Sequence, residues 1–265
     1  DMKLSTLSGG LKDNAIPTDA EAVVIFSDTD MSDINTPDHA DIPANSAHAS
    51  LQDLISKWNQ IIRHECTHTD PDICITLEPV DLPAATMTDT STHTVIDVLM
   101  AYPNGVRKMS KDIAGLVQTS LNLGILSTIK PDDPSTNGMV SFKSSVRSSI
   151  GSEKAALLYS LKSLATLAGG TLTVTGDYPA WEYREDSPLR DLMVKIFKQQ
   201  YGKEPVIQAL HAGVECGIFA SKLPGLDCVS FGPDMDDIHT TNESMNVESV
   251  RRTWEYTLEI LKELK

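Results

Sequence analysis

Beyond residue 180 the chain alternates between short apolar runs and amphipathic stretches of helical length, and it ends at residue 265. Val206–Leu210 and Asp227–Phe231 read as strands. Ser187–Tyr201, Glu215–Ser221 and Asn246–Leu264 read as helices, the first with Pro188 at its opening position. Such alternation specifies an α/β layer with a parallel sheet. Parallel sheets are covered on both faces, and the stretch 181–265 is a small share of one. It is therefore expected to complete something larger.

Before residue 180 the order of elements differs. Leu4–Leu7 and Ala22–Phe26 have strand composition, and Leu51 to about His64 keeps a helical apolar period with Ser50 as its expected cap. Ile73–Val80 reads as a strand and Thr92–Ala101 as a helix stopped by Pro103-Asn104-Gly105. Gln118–Thr128 and Met139–Ser148 are expected strands joined by a turn-rich connection. Ser152–Ala168 is an expected helix, with Ser152 as cap and Gly169-Gly170 as stop, followed by a strand at Thr171–Thr175. The punctuated segment GDYPAWEYREDSP then marks a domain boundary near residue 180.

Charge narrows the partners. The formal net charge is −15, which argues against nucleic acid and anionic membranes. Residues 1–100 hold 17 acids and 4 bases, a balance of −13. Much of that acid lies in Ser27–Ser50, where Asp28, Asp30 and Asp33 suggest either a cation site or a solvated loop. The loop is the favoured reading, because DxDxxD lacks the Gly and distal Glu of a calcium loop. No apolar run reaches membrane-spanning length. Cys66, Cys74, Cys216 and Cys228 have no dense spacing and fit a reduced, cytoplasmic protein.

Two stretches could hold a metal. His64-Glu65-Cys66-Thr67-His68 is a literal HExxH, which on a continuous helix would set two imidazoles on one face with Glu65 as general base. TDPD follows at once, so the helix is expected to fray within the motif, leaving a polar helix end. The other is the run Leu210–Val250. HAGVECG (His211–Gly217) follows an apolar run and opens a helix, SFGP (Ser230–Pro233) ends the next run, and His239 stands as a metal ligand or a surface histidine.

These segments resemble a known family. Ser8-Gly9-Gly10 with Asn14-Ala15-Ile16-Pro17, Pro103–Val106, Thr119–Gly124, Val146–Ser149, Tyr178–Trp181, HAGVECG, SFGP and His239–Glu243 occur in the order found in the aminoacyl-histidine (Xaa-His) dipeptidase branch of the M20 metallopeptidases. The match weakens over Phe26–Ala101. The resemblance implies a ferredoxin-like α+β lid, inserted into the catalytic domain, over residues 1–180. Residues 181–265 would then be the C-terminal α/β segment of that domain.

The resemblance also implies two zinc ions in the intact enzyme, with His239 as the one metal ligand carried here. Asp237 and Glu243 would be candidates to orient its ring. Arg147 matches a lid arginine that grips the dipeptide carboxylate, and Asn14 an asparagine that donates to substrate or oxyanion. Glu215 would meet the substrate amine or simply suit a helix N-terminus; Ser230 and Gly232 would offer backbone contacts. The family's other ligands and its general-base glutamate precede the lid and match nothing in this sequence. The chain is therefore expected to be an inactive fragment, dimeric through the lid. The alternatives are an autonomous HExxH zinc peptidase and a non-catalytic dimerisation module.

Overall fold

The computed structural model describes residues 2–26, 47–130, 138–208, 215–238 and 240–264. They form a mixed α/β structure that divides into two compact units. The first comprises residues 1–102, 122–145 and 167–169, and the second residues 103–121, 146–166 and 170–265. The acidic loop with Asp28, Asp30 and Asp33 lies outside the described residues.

In the first unit, β1 (Lys3–Gly9) pairs antiparallel with β2 (Ala20–Ile25), with a register irregularity between Leu4 and Thr6. Helices α1 (Ala47–Glu65) and α2 (Asp89–Ala101) follow. Thr88 caps α2 by accepting from Ser91 N at 3.1 Å. Leu4 and Leu7 are buried on β1. Leu4 N donates to the buried Thr92 Oγ1 of α2 at 3.2 Å, fastening strand to helix. Strand β4 (Val117–Ile129) meets β1 in this unit at Ser8↔Ser127 and Gly9↔Leu126.

In the second unit, β3 (Gly105–Met109) pairs antiparallel with the start of β4, from Gly105↔Leu121 to Met109↔Val117. Strand β5 (Met139–Ser148) also pairs with β4, and both strands run from one unit into the other. Helices α3 (Gly151–Leu167), α4 (Pro188–Tyr201) and α5 (Glu215–Lys222) come next. The two-residue strands β6 (Met235–Asp236) and β7 (Ser244–Met245) pair antiparallel, and α6 (Val247–Glu263) closes the chain.

Helices α4 and α6 pack on each other through Met193, Ile196, Tyr256 and Ile260, a buried cluster of this unit. The Tyr256 hydroxyl donates to Met193 O at 2.6 Å, so its one polar atom is satisfied inside that core. Positions 249, 253, 256 and 260 form the inward face of α6. Val250, Trp254, Leu258 and Leu261 form a second apolar row at helical spacing, and Trp254 stays 63% exposed.

Several expected strands do not form. Ile73–Val80 carries no strand; Asn59 of α1 takes the Ile75 N–H at 2.7 Å and donates to Ile75 O at 2.7 Å, supplying what a ladder would have supplied. Thr171–Thr175, the described residues 206–208 and Asp227–Phe231 also carry no strand, and residues 209–210 lie outside the described residues. A parallel strand exists only beside a neighbour, and the described residues offer these segments none. Two caps were misplaced. Helix α1 begins at Ala47 and α3 at Gly151, so Ser50 and Ser152 lie inside helices.

One carboxylate anchors Asp227–Phe231 without a ladder. Ser187 caps α4, accepting from Arg190 N at 3.1 Å, and donates to Asp227 Oδ1 at 2.6 Å. Leu189 N donates to Asp227 Oδ2 at 2.8 Å. Burial alone would raise the Asp227 pKa. The bonds from Ser187 and Leu189, with the charges of Arg184 and Arg190, outweigh it and hold the carboxyl below its ordinary value. A depressed acid contributes stability above its unfolded pKa and loses it as pH falls through the folded one. Asp227→Asn should therefore cost about 1–3 kcal/mol near neutral pH. In pH-resolved denaturant titrations the gap to the parent should close as pH drops below the usual carboxylate range.

Candidate functional site

In the first unit two of the resembling segments are physical partners. Gly10 has φ +70°, and a Cβ built there would lie 1.9 Å from Gly124 O. A Cβ on Gly124 would lie 2.4 Å from the carbonyl oxygens of Lys12 and Asp13. Only two glycines let these backbones touch. Asn122 Nδ2 then donates to Asp13 O at 3.1 Å and Ala15 O at 2.8 Å. Asn14 is exposed in the turn that this clamp holds. The sequence flags Gly124 and Asn122 within a motif but does not reveal what they clamp.

In the second unit Arg147 is the penultimate residue of β5 and is half-buried. Its neighbours are held by the start of β4. Ser149 N donates to Gln118 O at 3.0 Å, and Ser148 Oγ lies 2.9 Å from Thr119 Oγ1. Glu153, in the first turn of α3, ties this corner together. It receives bonds from Lys108 of β3, from Thr119 Oγ1 at 2.7 Å and from Gln118 Nε2 at 2.8 Å. The Lys108 ammonium leads in lowering the Glu153 carboxyl to about 2, with Thr119 and Gln118 adding to it.

Two further motifs meet at α5. Lys154 Nζ bonds Asp177 Oδ1 at 2.6 Å and Tyr178 O, fixing the approach to Pro179. Gly217 of α5 is buried, and a Cβ there would lie 2.6 Å from Pro179 O. Glu215 is the exposed first residue of α5. A cavity of about 1390 Å³ opens in this unit, with Trp181, Cys228, Ser230 and Gly232 on its wall and Met193 and Tyr256 of the helical core behind. Ser230 and Gly232 are exposed to it.

His239 lies outside the described residues, as do His211–Val214. The flanking chain is defined. Strands β6 and β7 bracket it, Asp237 takes φ +52°, and Thr240 N donates to Asp237 O at 3.1 Å. Aspartate is among the few residues besides glycine that adopt this left-handed conformation at small cost.

The HExxH reading is overturned. Helix α1 stops at Glu65, inside the motif, and His68 lies in the turn where Asp70 N donates to Cys66 O at 2.8 Å. His64, Glu65 and His68 are all exposed. Among the described residues no group of three or more His, Cys, Asp or Glu side chains could hold a metal ion. These residues by themselves therefore do not make the zinc centre that the resemblance implies. All four cysteines are free, and no described helix is long and apolar enough to cross a membrane.

A mixed α/β chain whose glycine-bearing motifs pack against one another in pairs can be set beside known proteins. It belongs to peptidase family M20/M25/M40, whose sequence model matches residues 10–263. It is 31% identical over 264 residues to the cytosol non-specific dipeptidase of Escherichia coli (strain K12), covering 100% of this chain and 50% of that protein. It superposes on the aminoacylhistidine dipeptidase of Vibrio alginolyticus with a TM-score of 0.83 at 30% identity, covering 99% of this chain and 49% of the other. The aminopeptidase PepT of Bacillus cereus shares the fold, with a TM-score of 0.51 at 20% identity over 64% of this chain and 44% of that one. The chain thus spans about half the length of these two dipeptidases.

The clamp around Asn14 has a direct consequence. Gly124→Ala forces the 10–17 loop off Asn122 and should cost more than about 2 kcal/mol. Thermal unfolding measures the loss, and limited proteolysis should show new cleavage between residues 10 and 19. An unchanged melting temperature and unchanged cleavage would contradict the clamp.

Proposed function

We propose that this chain is part of a zinc-dependent dipeptidase that hydrolyses Xaa-His and related dipeptides in the cytoplasm, and that it is inactive by itself. The observation that carries the reading is the ordered set of motifs, packed on one another, in a chain that matches about half of each dipeptide-cleaving relative. The second apolar row of α6 and the strand-like runs without a ladder agree with it, since both lack a covering layer among the described residues.

On this reading residues 1–180 are the inserted lid, with a ferredoxin-like sheet, and residues 181–265 close the catalytic domain. Each residue then has a task set by its chemistry. The Arg147 guanidinium presents a planar fork to the dipeptide's terminal carboxylate. Asn14 donates to the substrate carbonyl or the oxyanion formed from it. Glu215 takes the free amine, while Ser230 and Gly232 hold the substrate backbone.

His239 would supply one neutral imidazole nitrogen to zinc, of which the intact enzyme would hold two. The other ligands and the general base belong to the half of the relatives that this chain does not span. Zinc, when bound, supplies an activated water and polarises the scissile carbonyl. Lid edges would pair two copies into a homodimer.

The test is to assay the purified chain with zinc on an Xaa-His dipeptide and to count bound metal in the same sample. No turnover and less than about one zinc per chain are expected, because one imidazole does not hold the metal tightly. Co-expression with a polypeptide matching the rest of the relatives should restore turnover, and His239→Ala should remove it again. Turnover by the chain alone, or restored turnover indifferent to His239→Ala, would sink the proposal.

A further inference from the structure

We infer that the first turn of α3 is a length gauge for the substrate. Glu153 and Lys154 are its positioning residues, fixing how far the Arg147 guanidinium stands from the Glu215 carboxylate. The inference rests on the proposed function for the tasks of those two end groups, the grip on the terminal carboxylate and on the free amine. Its own content is the structure between them. Glu153 and Lys154 lie in none of the motifs that carry the family resemblance. All of the residues concerned belong to the second compact unit.

Glu153 serves the Arg147 end. Its carboxylate takes Thr119 Oγ1 at 2.7 Å and Gln118 Nε2 at 2.8 Å, and it pairs with Lys108. Thr119 Oγ1 lies 2.9 Å from Ser148 Oγ, and Gln118 O accepts from Ser149 N at 3.0 Å. Ser148 and Ser149 directly follow Arg147. Lys154 serves the Glu215 end. Its Nζ bonds Asp177 Oδ1 at 2.6 Å and Tyr178 O, and stands 5.6 Å from the centroid of the Tyr178 ring. Glu182 Oε1 accepts from Gly151 N of the same turn at 3.2 Å, so residues 177–182 are tied to α3 at both ends. Helix α5 rests on this segment through Gly217, where a Cβ would lie 2.6 Å from Pro179 O. Glu215 is two residues away, at the start of α5.

Every step from Arg147 to Glu215 is thus a peptide bond or a direct contact, with one helical turn in the middle and no free loop. Such a path holds its two ends at one spacing. An extended dipeptide reaches about 7 Å from end to end, and each further residue adds about 3.5 Å. An added residue is far more than a bonded path of this kind can follow. Only a dipeptide then satisfies both charged ends together, and a site built to pair a group rejects a ligand that leaves it unpaired. Loosening either side of the turn lets the spacing vary and removes that discrimination, although neither Glu153 nor Lys154 touches the substrate.

The test has two parts. In the chain alone, NMR follows the Arg147 Nε–H and the amides of Glu215 and Gly217, with the α6 amides as a control for folding. Glu153→Ala should move the Arg147 signal, Lys154→Met should move the Glu215 and Gly217 signals, and α6 should stay in place. In the enzyme reconstituted by co-expression, kcat and KM are measured for an Xaa-His dipeptide, its C-terminal amide and the tripeptide one residue longer. Either variant should raise the dipeptide KM about tenfold at nearly constant kcat, leave the KM of the amide unchanged and narrow the preference over the tripeptide. Glu153→Gln, which keeps an acceptor for Thr119, should recover most of the loss. Unmoved Arg147 and Glu215 signals, or equal losses on all three substrates, would overturn the gauge. An Arg147→Ala variant that treats the dipeptide and its amide alike would instead overturn the substrate reading on which the gauge rests.

Discussion

The Asp227 carboxylate is the point on which the second unit turns. Its two oxygens take the Ser187 hydroxyl and the Leu189 amide at the N-terminus of α4. There the helix dipole and two nearby arginines favour a negative charge. That single group fixes the direction in which residues 228–232 leave α4. Everything the segment presents to the cavity follows: the Cys228 sulfur, the exposed backbone at Ser230 and Gly232, and Phe231, whose ring meets Tyr256 edge-on at 5.4 Å. The anchor takes the place of a sheet ladder, and it is why the segment is ordered without one.

The same economy recurs at the other motifs. Gly10 and Gly124 exist so that two backbones can touch, and Gly217 so that α5 can close on Pro179. Glu153 gathers β3, β4 and α3 beside Arg147. What the family motifs encode here is largely mutual support. The side chains proposed to meet substrate, Asn14 and Arg147 among them, are carried by local clamps, glycine with Asn122 at the first and Glu153 with Gln118, Thr119 and Ser148 at the second. A substitution in a clamp would displace the carried residue without touching it.

The helices were legible from their apolar period, although the expected caps Ser50 and Ser152 lie inside α1 and α3. Ser187 with Pro188, and Asn246 before α6, cap where the pattern places them. Strands β1, β2, β4 and β5 were legible because their partners lie within the same chain. Strand β3 was missed: GVRKM is short, exposed throughout and has no alternation to read. The runs at 73–80, 171–175, 206–210 and 227–231 were read as strands because an apolar run looks the same with or without a neighbour. The HExxH failed because the helix ends at Glu65, as TDPD foretold. The meeting of Asp227 with the start of α4 carried no sequence signal at all, since it joins a side chain to partners that only the turn of the chain brings near.

The central proposal is that residues 181–265 are one part of a layer whose remaining strands would lie in the half of the relatives that this chain does not span. Amide hydrogen exchange over residues 206–208 and 226–231 tests it most directly. Measured first on the chain alone and then with the rest of the relatives' length supplied, these amides should exchange quickly alone and become protected together. Strong protection in the isolated chain, or none after the second segment binds, would contradict the account.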